Sequence, residues 1–152
     1  MKAKKKEAQK EPEPPQEKPQ GNKNSILEKL EAAAKDLLYI SETDAPLEPF
    51  FWPVENEELT PEFITRQAKL PDGAPVSTQA LDEFFEPVAI EEEWMNDGEV
   101  AEARRFQNLQ TSLEGNLKDV KVFRFGETEI DVFIIGKADG GLAGVWTKVV
   151  ET

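Results

Sequence analysis

Beyond Lys118 the hydrophobic pattern of the chain changes period. "DVKVFRFG", "TEIDVFIIGK" and "LAGVWTKVV" are rich in β-branched and aromatic residues, and only the turn formers near Gly126 and in "KADGG" separate them. Residue types that suit a pleated surface, broken by short turns, read as consecutive strands. Connections this short join neighbouring antiparallel strands, so the three runs predict a meander. "KADGG" has neither phosphate-loop spacing nor a following helix, and it reads as the hairpin turn of this meander.

Helical periods precede the sheet. "SILEKLEAAAKDLLYI" opens with a capping box, Ser25 with Glu28, and sets Ile26, Leu30, Ala33, Leu37 and Ile40 along one helical face. Phe50, Phe51 and Trp52 lie between Pro49 and Pro53, which suggests a short edge strand. "LTPEFITRQA" predicts a short helix with Thr60 as N-cap and Pro61 in the first position. After the turn "LPDGAP", "STQALDEFFE" predicts a second one, capped by Ser77 or Thr78 and ending before Pro87. The longest helix is expected in "NDGEVAEARRFQNLQTSLEGNLKD", capped at Asn96 or Asp97, with Val100, Ala103, Phe106, Leu109 or Gln110, Leu113 and Leu117 on its stripe. Gly115 weakens its last turn. Helices followed by an antiparallel sheet give an α+β fold class, and no internal repeat is visible.

The 152 residues suit one compact domain with a tail. Residues 1–24 hold seven Lys and four Glu with Pro and Gln but little apolar matter, so a disordered tail is expected there and a folded domain at 25–152. The tail has no apolar stretch to serve as a signal-peptide core, and no later run approaches a membrane span, so a soluble, cytoplasmic protein is expected. The chain has 18 basic and 31 acidic residues, which leaves 11 and 27 from Ser25 onward. A domain this acidic repels a phosphate backbone and attracts basic surfaces or metal ions.

The chain contains neither cysteine nor histidine. Disulfides, thiolate zinc sites, His-dependent triads and His-ligated metals are therefore excluded, and any metal would be met by oxygen. Carboxylates are the remaining candidates for chemistry. In "IEEEWMNDGE", however, Glu91, Glu92, Glu93 and Asp97 lack coordination spacing and read as a solvated acidic loop, so catalysis has little support. Three features stand out. Trp94 sits among acids in a stretch with no amphipathic period, as either a core residue or a binding anchor. Glu42 follows the first helix directly in "YISETD", as an ordinary loop acid or something more. Thr152 ends a strand and would present its α-carboxylate on a rigid support.

"LLYISETDAPLEPFFW", the tryptophan of "EEWMND", "GETEIDVFIIGK" and "LAGVWTKVVET" resemble the nuclease A inhibitor family over Ser25 to Thr152, with the closing stretch the most specific part. The Lys/Glu/Pro tail departs from the family, being longer than its usual lead-in. The resemblance implies an α/β/α sandwich related to the pathogenesis-related-1 fold. It also implies a non-catalytic inhibitor of a sugar-nonspecific DNA/RNA endonuclease of the ββα-metal type. Carried over to this chain, the family's contact residues are Glu42, Trp94 and Thr152. The first and last would offer carboxylate oxygens where the nuclease expects phosphate, close to its divalent ion. The inhibitor would need no cofactor of its own, a magnesium ion of the nuclease being bridged in the complex, and it would be monomeric when free. The rival readings are an acidic adaptor for another basic protein and a carboxylate-dependent hydrolase.

Overall fold

The computed structural model describes residues 21–54 and 58–151, with side chains from Ser25 onward. Helix α1 (Gly21–Ala34) leads into strands β1 (Leu38–Ile40), β2 (Asp44–Pro46) and β3 (Glu48–Trp52). Helix α2 (Pro61–Ala68), strand β4 (Val76–Gln79) and helices α3 (Leu81–Ala89) and α4 (Asp97–Asn116) follow. Strands β5 (Lys118–Phe125), β6 (Glu129–Ala138) and β7 (Gly141–Val150) complete the chain. The five long-range strands pair antiparallel in the order β3-β7-β6-β5-β4, while β1 and β2 form a separate two-stranded ribbon.

The expected meander is therefore the centre of the sheet, with β3 on one edge as the flanking prolines imply. Alternation along its strands feeds two cores. Val122, Val132, Ile134, Ala143 and Val145 face α1, α3 and α4, where Leu30, Phe84, Phe85, Phe106, Leu109 and Leu113 meet them. Phe123, Phe125, Phe133, Ile135 and Leu142 face the other way, against Leu59, Phe63 and Ile64 of the α2 region. Helices thus cover both faces of an antiparallel sheet, in an α+β architecture of three layers. Each large side chain so buried contributes about 1.5–3 kcal/mol, which makes the two cores the main source of stability.

Local signals account for most of the helix ends. Thr60 caps α2, its hydroxyl accepting from the Phe63 N–H at 3.2 Å, with Pro61 in the first turn. Asn96 and Glu99 form a reciprocal capping box at the start of α4, with N···O distances of 2.8 and 3.0 Å. The buried stripe of α4 is Ala103, Phe106, Leu109 and Leu113, and Leu117 closes it as C-cap.

Two expectations need correction. Helix α1 starts at Gly21, so Ser25 lies within it rather than capping it; of the expected tail, residues 1–20 lie outside the described residues. It also stops at Ala34, because Asp36 adopts a left-handed conformation at φ 61° that ends helical propagation. From there the period becomes two. Leu37 and Tyr39 are buried, whereas Leu38 and Ile40 point outward, Ile40 being 60% exposed. The second correction concerns "STQALDEFFE". Val76–Gln79 is an edge strand on β5, and Ser77 and Thr78 lie within it instead of capping a helix. Helix α3 begins at Leu81, where the Glu83 carboxylate accepts from the Ala80 N–H at 3.1 Å, and it runs past Pro87 to Ala89. A polar edge strand carries no apolar alternation, and its hydroxyls imitate caps. Proline costs α3 one hydrogen bond, a loss confined to the last turn.

Tyr39 joins the ribbon to the helical layer. Its ring stacks on Phe84 at 4.2 Å, and its hydroxyl donates to the Phe84 carbonyl at 2.7 Å. Burial pushes the phenol above its ordinary value of 10.0, since the anion would lose both its solvation and this donor. The neutral form is thus favoured by the fold. Its stabilisation is present below pH 10 and is lost as pH rises through the folded value. Tyr39→Phe keeps the ring and removes the donor. It is expected to cost about 1 kcal/mol and to flatten the alkaline decline, as read by urea unfolding between about pH 8 and 11.

Gly144, in the middle of β7, marks a close approach of backbones. A Cβ built there would stand 1.8 Å from the Ile134 carbonyl oxygen. Gly144→Ala would force β7 away from β6 and is expected to destabilise the protein by about 3 kcal/mol, measurable by chemical denaturation.

Candidate functional site

Glu42 occupies the short connection between β1 and β2, and this connection lies across the end of β7. The Ser41 hydroxyl donates to the Thr43 carbonyl at 2.7 Å and accepts from the Val150 N–H at 3.0 Å. The Glu42 N–H then donates to the Val150 carbonyl at 3.2 Å. Both backbone groups of Val150 are thereby satisfied by the "SET" turn, while the Glu42 residue itself is exposed. Behind it, the Thr147 hydroxyl reaches the Ala45 carbonyl of β2 at 3.4 Å, which draws the ribbon against β7.

The strand continues into a second set of restraints. The Glu151 N–H donates to the Thr128 carbonyl at 2.8 Å, and its carboxylate accepts from Arg124 at 2.8 Å. Thr152 lies outside the described residues, one peptide bond beyond this anchored position. The Glu42 turn and the end of β7, at Val150 and Glu151, therefore form one corner.

Trp94 stands in a different loop, between α3 and α4. The Met95 N–H donates to the Glu92 carbonyl at 3.1 Å and closes a turn whose tip carries Trp94, 67% exposed. This exposure removes the core reading of the residue. The flanks of the loop are held on both sides. Arg104 engages Glu91 through two hydrogen bonds of 3.1 and 3.2 Å, Gln107 donates to Glu91 and to the Ala89 carbonyl, and the Asn96–Glu99 box fixes the far side. Hydrogen bonds from Arg104 and then Gln107 hold the Glu91 carboxyl below the usual carboxylate range, so it remains a charged acceptor. Glu91, Glu92, Glu93 and Asp97 are all exposed, as the sequence reading of solvated acids expects, and Glu91 in addition accepts from Arg104 and Gln107.

Among the described residues no group of three or more Asp, Glu, His or Cys could hold a metal ion, and no helix is long and apolar enough to cross a membrane. The corner offers charge and hydrogen-bonding groups on a rigid support, and the Trp94 turn offers an aromatic plane. Groups of both kinds recur at protein-binding surfaces in general. A family model described as nuclease A inhibitor-like protein matches residues 24–152.

The chain belongs to the nuclease A inhibitor-like protein family.

That match spans every element of the sheet and nearly all of α1. No curated protein matches the chain. Membership of an inhibitor family suggests a binding role toward a nuclease. Sequence reasoning missed Ser41, Arg124 and Glu151 as supports of the corner. Ser41 carried a usable signal, since a serine before an acidic turn commonly bonds its own backbone two residues on. Because Trp94 buries little within the domain, Trp94→Ala is expected to change stability by no more than about 0.5 kcal/mol, as read from the denaturation midpoint.

Proposed function

We propose that the protein binds and occludes the active site of a sugar-nonspecific DNA/RNA endonuclease of the ββα-metal type. In this reading it acts as a cytoplasmic, non-catalytic inhibitor, monomeric when free, in a domain related to the pathogenesis-related-1 fold. The observation that supports the reading is the bonding of the Glu42 turn to both backbone groups of Val150, which seats one family contact position, Glu42, against the end of β7. A nuclease site holds a divalent ion and basic side chains arranged to receive phosphate. Carboxylates of Glu42 and of the Thr152 terminus supply oxygens of the same charge type without a scissile bond. The magnesium ion belongs to the nuclease, and the inhibitor brings no cofactor.

Trp94 supplies the apolar part of the interface. An aromatic side chain held on a pinned turn loses little conformational freedom when it is covered, which favours its use as an anchor. The acidic surplus of the chain, a formal net charge of −13, accelerates encounter with a basic nucleic-acid cleft in a salt-dependent way.

Titration of the purified protein into a magnesium-dependent digestion of DNA by a ββα-metal endonuclease tests the reading. Glu42→Gln preserves shape and removes charge, and two glycines appended after Thr152 displace the terminal carboxylate. Each change is expected to weaken inhibition by about 2–5 kcal/mol. If both address one ion, the combined change costs less than the sum. Trp94→Ala is expected to weaken inhibition by about 2–4 kcal/mol while stability holds. Full inhibition by the extended chain would remove the terminus from the mechanism. Capture of a non-nuclease basic protein, with no inhibition of the endonuclease, would favour the adaptor reading instead.

A further inference from the structure

Arg124 is a cation in an apolar position. On β5 it has the same parity as Val122, which is fully buried against the helical layer, and its own side chain is only 17% exposed. A guanidinium in such a place needs partners that satisfy its fork of donors. Among the described residues it has two, and neither belongs to the adjoining strand β6. One nitrogen donates to the Gln79 side chain at the end of β4, at 3.3 Å, and the other to the Glu151 carboxylate beyond the end of β7, at 2.8 Å. The side chain therefore spans β6 and links two strands that do not pair with each other. Tyr39 lies near enough for the charges of both Arg124 and Glu151 to act on its phenol.

The consequence reaches Glu42 in three steps. Arg124 holds the Glu151 side chain, and the Thr128 carbonyl holds the Glu151 N–H. Glu151 is bonded covalently to Val150. Val150 accepts the Glu42 N–H and donates to the Ser41 hydroxyl. We infer that Arg124 is a positioning residue of the inhibitory corner: through Glu151 it sets the end of β7, and with it the Glu42 turn, in the geometry that meets the nuclease. This rests on the inhibitor reading given above. It adds a residue that would touch neither the nuclease nor its metal. A purely structural ion pair would weaken folding and leave the coupling to Glu42 at nothing.

The test uses the full chain with Arg124→Gln, Arg124→Lys, Glu151→Gln, Glu42→Gln and the Arg124→Gln/Glu42→Gln pair. Inhibition of a ββα-metal endonuclease with magnesium is measured for each, alongside amide hydrogen exchange at Glu42 and Glu151. Arg124→Gln and Glu151→Gln are each expected to weaken inhibition about tenfold and to speed exchange at both amides, while Arg124→Lys restores part of the loss. In the Glu42→Gln background, Arg124→Gln is expected to cost clearly less than tenfold, because one of the two carboxylates that the corner presents is already gone. Glu151→Gln breaks the same pair from its exposed side, so the inference stays testable if Arg124→Gln folds poorly. A tenfold effect of the same size in both backgrounds would overturn the inference, as would unchanged inhibition in Arg124→Gln and Glu151→Gln. Should the parent chain fail to inhibit, the inhibitor reading beneath it falls, a result distinct from a parent that inhibits and variants that match it.

Discussion

The pairing of β6 with β7 is the interaction on which the rest of the structure depends. Their ladder runs from Glu129 opposite Val150 to Ala138 opposite Gly141, and side chains on both of its faces are buried. A sheet buried on two sides cannot be covered by one layer of helices, which explains why the short α2 lies on the face opposite α1, α3 and α4. The register of this ladder also decides where β7 stops. A slip of one residue would exchange the two cores and carry Val150 out of reach of the Glu42 turn.

Scaffold and contact surface divide by chemistry. Aliphatic and aromatic side chains hold the layers together, while charged and hydroxyl groups set the geometry of the exposed turns. Arg104 secures the loop that carries Trp94, and Arg124 secures the corner that carries Glu42. In a chain with so large an excess of acid, these two arginines are placed where a carboxylate has to be held still. The Arg104–Glu91 pair is exposed and contributes little to stability, so its importance lies in orientation.

The sheet was legible because its three central strands combine β-prone residues with short turns, and α4 because one apolar stripe runs through twenty residues between clear end signals. The ribbon was not. "LLYI" continues a helical spacing from α1, and only the left-handed turn at Asp36 converts Leu37, Leu38, Tyr39 and Ile40 to alternation. Strand β4 was hidden for the opposite reason: its residues are exposed or half-buried, so only pairing with β5 identifies it. Glu42 and Trp94 came to notice through family resemblance, with local pattern contributing little. Their supports lie far off in sequence, as the bond between Ser41 and Val150 illustrates, and no window of neighbouring residues contains such a relation.

The hydrogen bond that seats the turn on β7 leaves from the main chain of Glu42 and arrives at the main chain of Val150. Neither end depends on which side chain residue 42 carries. The seating of this turn is therefore written into the backbone. On the inhibitor reading proposed above, a substitution at residue 42 would alter what the corner presents to a partner, while the main-chain bond that holds the corner together would stay in place.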